Sequence, residues 1–284
     1  MTVGGDALNE ATILAKHGKS VYLETVLGND DVGKYLCSHY ARHGIELSEA
    51  VVKASYMIGI NVVLVQKNGE RNFLTNRNGS LDADPIEQAA VGAKRAVEEV
   101  PENANVVVLR GPSGNYHAEK RREAWDTYFF KERPDVKLLY EDYANWNSDE
   151  ALTLMENWVQ SGTHIDAIIS MNDNMAAGAI EAIRNDKDYV SNGKANFLAY
   201  GVDGTAQGCL LIKEGLLTCT ALQSAADIAK LNMEYADKVL KGEMKVTEVN
   251  DYVEAPEINA ENVEEYIQIY VENGEISEGG ELAE

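Results

Sequence analysis

The sequence predicts an α/β protein: a doubly wound parallel sheet over residues 83–284, preceded by a smaller α/β segment with a β-hairpin over residues 1–82. Two observations carry this. From Asn105 onward, short apolar runs alternate with amphipathic helical stretches, the pattern of strand–crossover–strand units. At Asn76–Asp84 the texture breaks: a polar loop, Asn-Arg-Asn-Gly-Ser, is followed at once by an independent helix start.

In chain order, Gly5–Lys16 places Ala7, Leu8, Ala11, Leu14 and Ala15 at helical spacing and stops at His17-Gly18. Ser20–Val26 turns Val21 and Leu23 to one side and reads as a strand. Asp30–Arg42 carries Val32, Tyr35, Leu36 and Tyr40 on one face of a second helix, which ends at His43-Gly44. A cationic turn followed by glycine suits the negative helix end and a left-handed cap. Ile58–Gln66, the turn Lys67-Asn68-Gly69 and Glu70–Thr75 form the hairpin. Asp84-Pro85-Ile86-Glu87 then opens a helix, with a capping aspartate and proline in the first turn.

Strands are predicted at Asn105–Arg110, Val136–Tyr140, Ile165–Ser170, Phe197–Val202 and Leu217–Leu222. Helices are predicted near Tyr116–Lys131, Asp149–Gln160, Asn174–Arg184, Ala206–Glu214 and Ala225–Leu240. In such sheets ligands bind beyond the carboxyl ends of the strands. Those ends supply Gly111-Pro112-Ser113-Gly114 with Arg121 on the next helix, then Trp146, Asn172, Asp203 and Gln223. One guanidinium, one indole, one carboxylate and two amides suit a sugar. Adjacent hydroxyls match the paired donors of arginine and the paired acceptors of a carboxylate, and an aromatic plate packs the C–H face of the ring. Taken singly, each has a plain structural role: Trp146 as a core cover, Asn172 or Asp203 as a helix cap, Arg121 as a surface charge.

The composition narrows the function. A formal net charge of −22 over 284 residues argues against nucleic acid, which needs a basic face. No apolar stretch is long enough to cross a bilayer, so no membrane insertion is expected. Cys37, Cys209 and Cys219 suggest no disulfide framework, and His39 and His43 lack a third ligand nearby, so neither a metal nor a cofactor is expected. The chain opens Met-Thr-Val-Gly-Gly-Asp, without a charged and then apolar leader, which predicts a cytoplasmic location.

Val107–Gly114, Ala144–Asn147, Ser170–Ala182 (SMNDNMAAGAIEA), Tyr200–Thr205 (YGVDGT) and Thr218–Gln223 resemble, in order, the type I periplasmic sugar-binding proteins, the ribose- and galactose-receptor family that feeds ABC transporters. The resemblance covers roughly Pro85–Glu275. It implies a lobe of the type I periplasmic-binding-protein fold, with Arg121, Trp146, Asn172, Asp203 and Gln223 as sugar contacts. It also implies a periplasmic or extracellular location and an ABC transporter permease as partner. The lobe that should precede Asp84 is missing from this pattern.

Before it, Gly4-Gly5-Asp6-Ala7-Leu8-Asn9-Glu10-Ala11, Gly18 and Gly28-Asn29-Asp30-Asp31-Val32-Gly33 resemble the front end of ribokinase-like (PfkB family) sugar kinases over roughly Val3–Leu81. That resemblance implies that Gly4, Gly5 and Asn9 touch a sugar. The second kinase signature, a Gly-Ala-Gly-Asp turn supplying the anion hole and catalytic base, has no counterpart in the sequence. Phosphoryl transfer depends on that machinery, so no catalytic residue is assigned and no enzyme is expected. The two resemblances switch at Leu81–Asp84, which predicts two fragments of separate ancestry joined there. A transcriptional regulator built on the receptor fold is disfavoured, because no helix-turn-helix precedes the core.

Overall fold

The apolar runs that alternate with helices assemble into one six-stranded sheet in the computed structural model of the protein. The structure describes residues 82–244 and 251–283 continuously and, before them, residues 12, 15–16, 18, 20–23, 27–29, 31–47, 52–53, 60–65 and 71–76. The chain divides into two compact units. Met1–Asn61, Thr75–Asp82 and Ala225–Val253 form the first; Val62–Leu74, Ala83–Ser224 and Glu254–Glu284 form the second. These units divide the chain differently from the two-segment reading at two places. Ala225–Val253 was kept with residues 83–284 and Val62–Leu74 with residues 1–82, and each falls in the other unit. An amphipathic pattern says that a segment buries a face, not which partner covers it.

In the first unit, strands Val21–Leu23 (β1) and Leu27–Gly28 (β2) precede helix Asp31–Arg42 (α1). Strands Ile45–Leu47 (β3) and Val52–Lys53 (β4), which sequence reasoning did not name, pair in parallel with β1 and β2 respectively. Leu27, Tyr40 and Ile45 form a small buried core, with Leu36 packed against it. Helix α1 ends as expected at His43-Gly44: Gly44 has φ +68°, the left-handed cap that glycine adopts without a Cβ penalty. Strands Ile60–Val65 (β5) and Arg71–Asn76 (β6) form a two-stranded sheet at the predicted hairpin, whose turn residues 67–69 lie outside the described residues. Gly4, Gly5 and Asn9 also lie outside them.

After strand Asp82–Ala83 (β7), helix Pro85–Glu99 (α2) begins as its sequence dictates. Asp84 Oδ1 accepts from Ile86 N at 2.8 Å, and proline opens the first turn where no backbone donor is needed. Strands Asn105–Arg110 (β8), Lys137–Tyr143 (β9) and Ala167–Ser170 (β10) follow. After the short pair Val190–Ser191 (β11) and Lys194–Ala195 (β12) come Leu198–Tyr200 (β13) and Cys219–Ala221 (β14). The helices between are Tyr116–Trp125 (α3), Ser148–Val159 (α4), Asp173–Ile183 (α5) and Ala206–Lys213 (α6). Ala225–Leu240 (α7) and strand Tyr252–Val253 (β15) belong to the first unit; Glu257–Asn259 (β16) and Val263–Glu272 (α8) complete the second.

The sheet order is β16-β14-β13-β10-β8-β9. Pairings from β9 to β14 are parallel, and β16 joins antiparallel at the edge, so the sheet is mixed, not wholly parallel as expected. Val106–Leu109 of β8 and Ala167–Ile169 of β10 are fully buried, as continuous apolar runs covered on both faces should be. From β8 the chain passes first to β9 on one side and then to β10 on the other. The crevice at the carboxyl ends of β8 and β10 is therefore a topological switch point, where open α/β sheets bind ligands.

The helix predicted at Tyr116–Lys131 is α-helical only to Trp125 and continues as a π-helical turn, Asp126–Phe130, closed by Lys131 N donating to Asp126 O at 3.1 Å. Trp125 and Phe129 both reach the core from it.

Candidate functional site

Each crossover in the second unit turns from strand to helix through a side chain that caps the helix. Asn115 Oδ1 accepts from Ala118 N at 3.1 Å, Asn147 Oδ1 from Glu150 N at 2.9 Å, and Asn172 Oδ1 from Met175 N at 2.9 Å. Thr205 Oγ1 accepts from Gly208 N at 3.0 Å. These turns bring the post-strand residues to one edge.

Arg121 is the hub. Projecting from α3, it is almost fully buried and reaches across the strand ends. Its Nη1 donates to Met171 O at 2.5 Å. Its Nη2 lies 2.9 Å from Gln88 Oε1, 2.9 Å from Gln223 Oε1 and 3.1 Å from Asp203 Oδ1. Trp146 covers it: the Arg121 Cζ lies 5.6 Å from the indole centroid, within cation–π range. A buried guanidinium is tolerated only when paired and hydrogen-bonded; Arg121 is paired with Asp203 and bonded through both Nη atoms, while its buried Nε finds no partner among the described residues.

The backbone pays for this arrangement. Asn145 and Trp146 stand at φ +53° and +64°, and Asp203 at φ +114°, all disfavoured for residues with a Cβ. Asn174 Nδ2 holds the Trp146 carbonyl at 2.8 Å. Asp203 N donates to Ala221 O at 2.9 Å, and its carbonyl accepts from Gln223 N at 3.0 Å, so Asp203 and Gln223 are locked side by side. Gly111 lets the indole approach: a Cβ there would fall 2.3 Å from Trp146 Cζ2.

Of the five predicted residues, Arg121, Trp146, Asp203 and Gln223 are thus brought together. Asn172 follows Met171, whose carbonyl holds Arg121, but its own side-chain oxygen serves as the cap of α5. What remains to it is the Nδ2 amino group.

Three residues escaped sequence reasoning. Gln88 on α2, fully buried, bonds both Arg121 and Gln223, the latter at 3.1 Å. Nothing in the sequence pointed to an amide on an otherwise alanine-rich helix face. His117 lies one turn before Arg121 on α3, close enough to Asp203 to act on its carboxyl. Burial raises the Asp203 carboxyl from its ordinary value, and Arg121 opposes that rise.

Asp173 is fully buried behind the site. Its carboxylate accepts from Thr220 Oγ1 at 2.6 Å, Thr205 N at 2.8 Å and Thr205 Oγ1 at 3.2 Å. Burial, reinforced by the charge of Asp203, pushes its carboxyl up to about 7 against those stabilising bonds. Cβ atoms at Gly201 and Gly208 would meet its oxygens at 2.2 and 2.4 Å, so glycine at both positions makes room for the carboxylate.

Among the described residues no cluster of three or more metal-ligating side chains is found. A separate open groove of about 760 Å³ runs along α2, but its main charges, Arg95 with Glu99 and Glu257, pair with one another.

Comparisons with known proteins give the fold and the family. The chain is 31% identical over 191 residues to a xylitol-binding protein of Mycolicibacterium smegmatis, covering 67% of this chain and 52% of that protein. It is 27% identical over 188 residues to the D-allose-binding periplasmic protein of Escherichia coli, covering 64% and 58% respectively. The chain thus spans little more than half the length of these relatives. Its fold is similar to that of an ABC transporter periplasmic solute-binding protein from Actinobacillus succinogenes solved with bound D-allose, with a TM-score of 0.62 at 21% identity over 91% of this chain and 85% of that one. The sugar-kinase resemblance of the first segment rests on its sequence motif alone. The receptor likeness begins earlier than Pro85, inside that segment: residues 53–244 match the family model described as the periplasmic binding protein domain, and the chain belongs to that family.

Proposed function

We propose that the protein binds a monosaccharide or a related polyol, as the solute-binding component of an ABC transporter, and that it is a binding protein, not an enzyme. The observation that carries this is the buried Arg121 guanidinium, held at the switch point by Asp203 and Gln223 and covered by the Trp146 ring. Charged and amide groups fixed before the ligand arrives lose little freedom on binding, and they match vicinal hydroxyls on one side with a C–H face on the other. The names of the relatives, which bind xylitol and allose, favour the same ligand class. In this reading Arg121, Trp146, Asp203 and Gln223 contact the ligand, with Asn172 offering its amino group. By the family resemblance, and against the cytoplasmic location that the opening residues predict, the protein would act outside the cytoplasm, with a permease of the transporter as its partner. The kinase-like signature of the first segment adds no phosphoryl transfer, because the sequence offers neither base nor anion hole for it.

The test is a fluorescence titration with a panel of pentoses, hexoses and polyols. Trp125 and Trp158 are buried in the core, so Trp146 is the tryptophan placed to report. Saturable quenching or enhancement by a panel member is expected, weakened strongly in Asp203→Ala; a buried charged hydrogen bond lost to a ligand costs about 2–5 kcal/mol. Unchanged affinity in that variant would move the pocket elsewhere.

A further inference from the structure

The hydrogen-bond inventory around Arg121 does not balance, and the imbalance identifies a further residue. A guanidinium nitrogen such as Nη2 carries two hydrogens and accepts nothing. Three oxygens crowd it: Gln88 Oε1, Gln223 Oε1 and Asp203 Oδ1. Because Arg121 can only donate, both glutamines must present their oxygens to it, which settles the orientation of each amide. Gln88 then turns its amino group to Gln223, and its Nε2 donates to Gln223 Oε1 at 3.1 Å. The Gln223 oxygen therefore serves two donors, one from Arg121 and one from Gln88, and both its lone pairs are occupied. Only its amino group is left for a third partner.

We propose that Gln88 is a positioning residue for the ligand: it locks Gln223 as a hydrogen-bond donor toward the site, beside Asp203, which can only accept when ionised. The wall so built offers a donor and an acceptor on adjacent backbone positions. It selects a ligand with neighbouring hydroxyls, one accepting from Gln223 while the next donates to Asp203. Gln88 has no accessible surface of its own, so its effect passes through Gln223 and Arg121. Asp203 gives the ligand an entry: it is the most distant of the three oxygens from Nη2 at 3.1 Å, its side chain is partly exposed, and a carboxylate has further lone pairs to accept from a hydroxyl. This step rests on the carbohydrate-binding reading of the site; the locking of Gln223 does not.

Two measurements separate the claims. In the whole 284-residue chain without ligand, the Gln223 side-chain amide signal is assigned by its loss in Gln223→Met. It is expected to be dispersed and slow to exchange with solvent in the wild type, and to move toward the position of a free glutamine amide in Gln88→Met. An unchanged Gln223 signal overturns the proposal whether or not any sugar binds. In the second measurement the monosaccharide giving the largest response is titrated into Gln88→Met, Gln88→Glu, Gln223→Met and the Gln88→Met/Gln223→Met pair. Gln88→Glu keeps the acceptor for Arg121 and loses the donor to Gln223, so it guards against a packing effect. Gln88→Met and Gln88→Glu should each raise Kd about tenfold, and the pair should be no weaker than Gln223→Met alone. Additive losses, or wild-type affinity in Gln88→Glu, overturn the proposal. A wild type that binds nothing in the panel sinks the carbohydrate reading, and the amide signal then decides the role of Gln88.

Discussion

Replacing Arg121 with methionine tests whether the hub holds the site together even without ligand. Methionine fills most of the same volume and removes every donor. The structure gives the inventory of what is lost: the bonds to Met171 O, Gln88 Oε1, Gln223 Oε1 and Asp203 Oδ1. Breaking a buried ion pair by removing one partner costs about 3–5 kcal/mol, because the remaining charge is stranded. The Asp203 side chain keeps 29% of its exposure, so water relieves part of that penalty, and the lower end, about 3 kcal/mol, applies. The assay is urea unfolding at neutral pH, followed by the near-ultraviolet signal of the core tryptophans Trp125 and Trp158. Adding Asp203→Asn to Arg121→Met removes the stranded charge and should recover about 1–2 kcal/mol, while Asp203→Asn alone should destabilise. If Arg121→Met lies within about 0.5 kcal/mol of the wild type, or if Asp203→Asn makes it worse, the guanidinium is not the electrostatic hub of this unit.

Gly111→Ala drives a methyl into the indole of Trp146, since its Cβ would stand 2.3 Å from Cζ2. It should shift the tryptophan emission and weaken sugar binding about tenfold or more, at a stability cost of about 1–3 kcal/mol; an unchanged spectrum and affinity would show that the ring has room to retreat. Asp173, whose carboxyl is pushed up to about 7, holds its proton more tightly folded than unfolded, so its contribution is complete below about pH 4 and is lost as the pH rises toward 7. Wild-type stability should fall by on the order of 2–4 kcal/mol between about pH 5 and about pH 8 relative to Asp173→Asn, measured by denaturant unfolding, and parallel profiles would remove Asp173 from the pH dependence. A chain beginning at Ala83 keeps the six-stranded sheet, though it lacks Val62–Leu74 of the second unit, and should unfold cooperatively in a thermal scan; loss of that transition would show that residues before Ala83 are needed for the cooperative fold of the sheet.

Much of this architecture was legible because strand and helix signals lie close together in sequence. Asp84-Pro85 opened α2 where its cap and proline said it would, and His43-Gly44 closed α1. The five parallel strands were found because buried runs such as Val106–Leu109 are long and uninterrupted. Edge strand β16 was missed: three residues, Glu-Ile-Asn, are too few to show alternation. Helix α7 was seen and kept with residues 83–284, whereas it groups with the first unit, because its amphipathic face names no partner. The site divided along the same line. Arg121, Trp146, Asp203 and Gln223 follow strands and were reachable by a topological rule. Gln88 lies 135 residues from Gln223, on a helix that precedes β8, the first strand of the six-stranded sheet, where that rule does not look.

The backbone carries a further argument about where function sits in this chain. Five described residues other than glycine have positive φ: Asn103, Asn145, Trp146, Asn192 and Asp203. Asparagine tolerates the left-handed region, because its short side chain bonds locally, so Asn103 and Asn192 need only a turn to explain them. Trp146 has no such excuse, and Asp203 at φ +114° lies beyond the left-handed well altogether. Sequence propensity argues against both conformations, and each is held by specific bonds: Asn174 Nδ2 to the Trp146 carbonyl, and the Ala221 and Gln223 backbone on either side of Asp203. A fold selected for stability alone would relax these two positions to glycine or to ordinary turns. What the strained geometry secures is the indole over the guanidinium and the carboxylate beside it, the two contacts that a ligand at the switch point would meet.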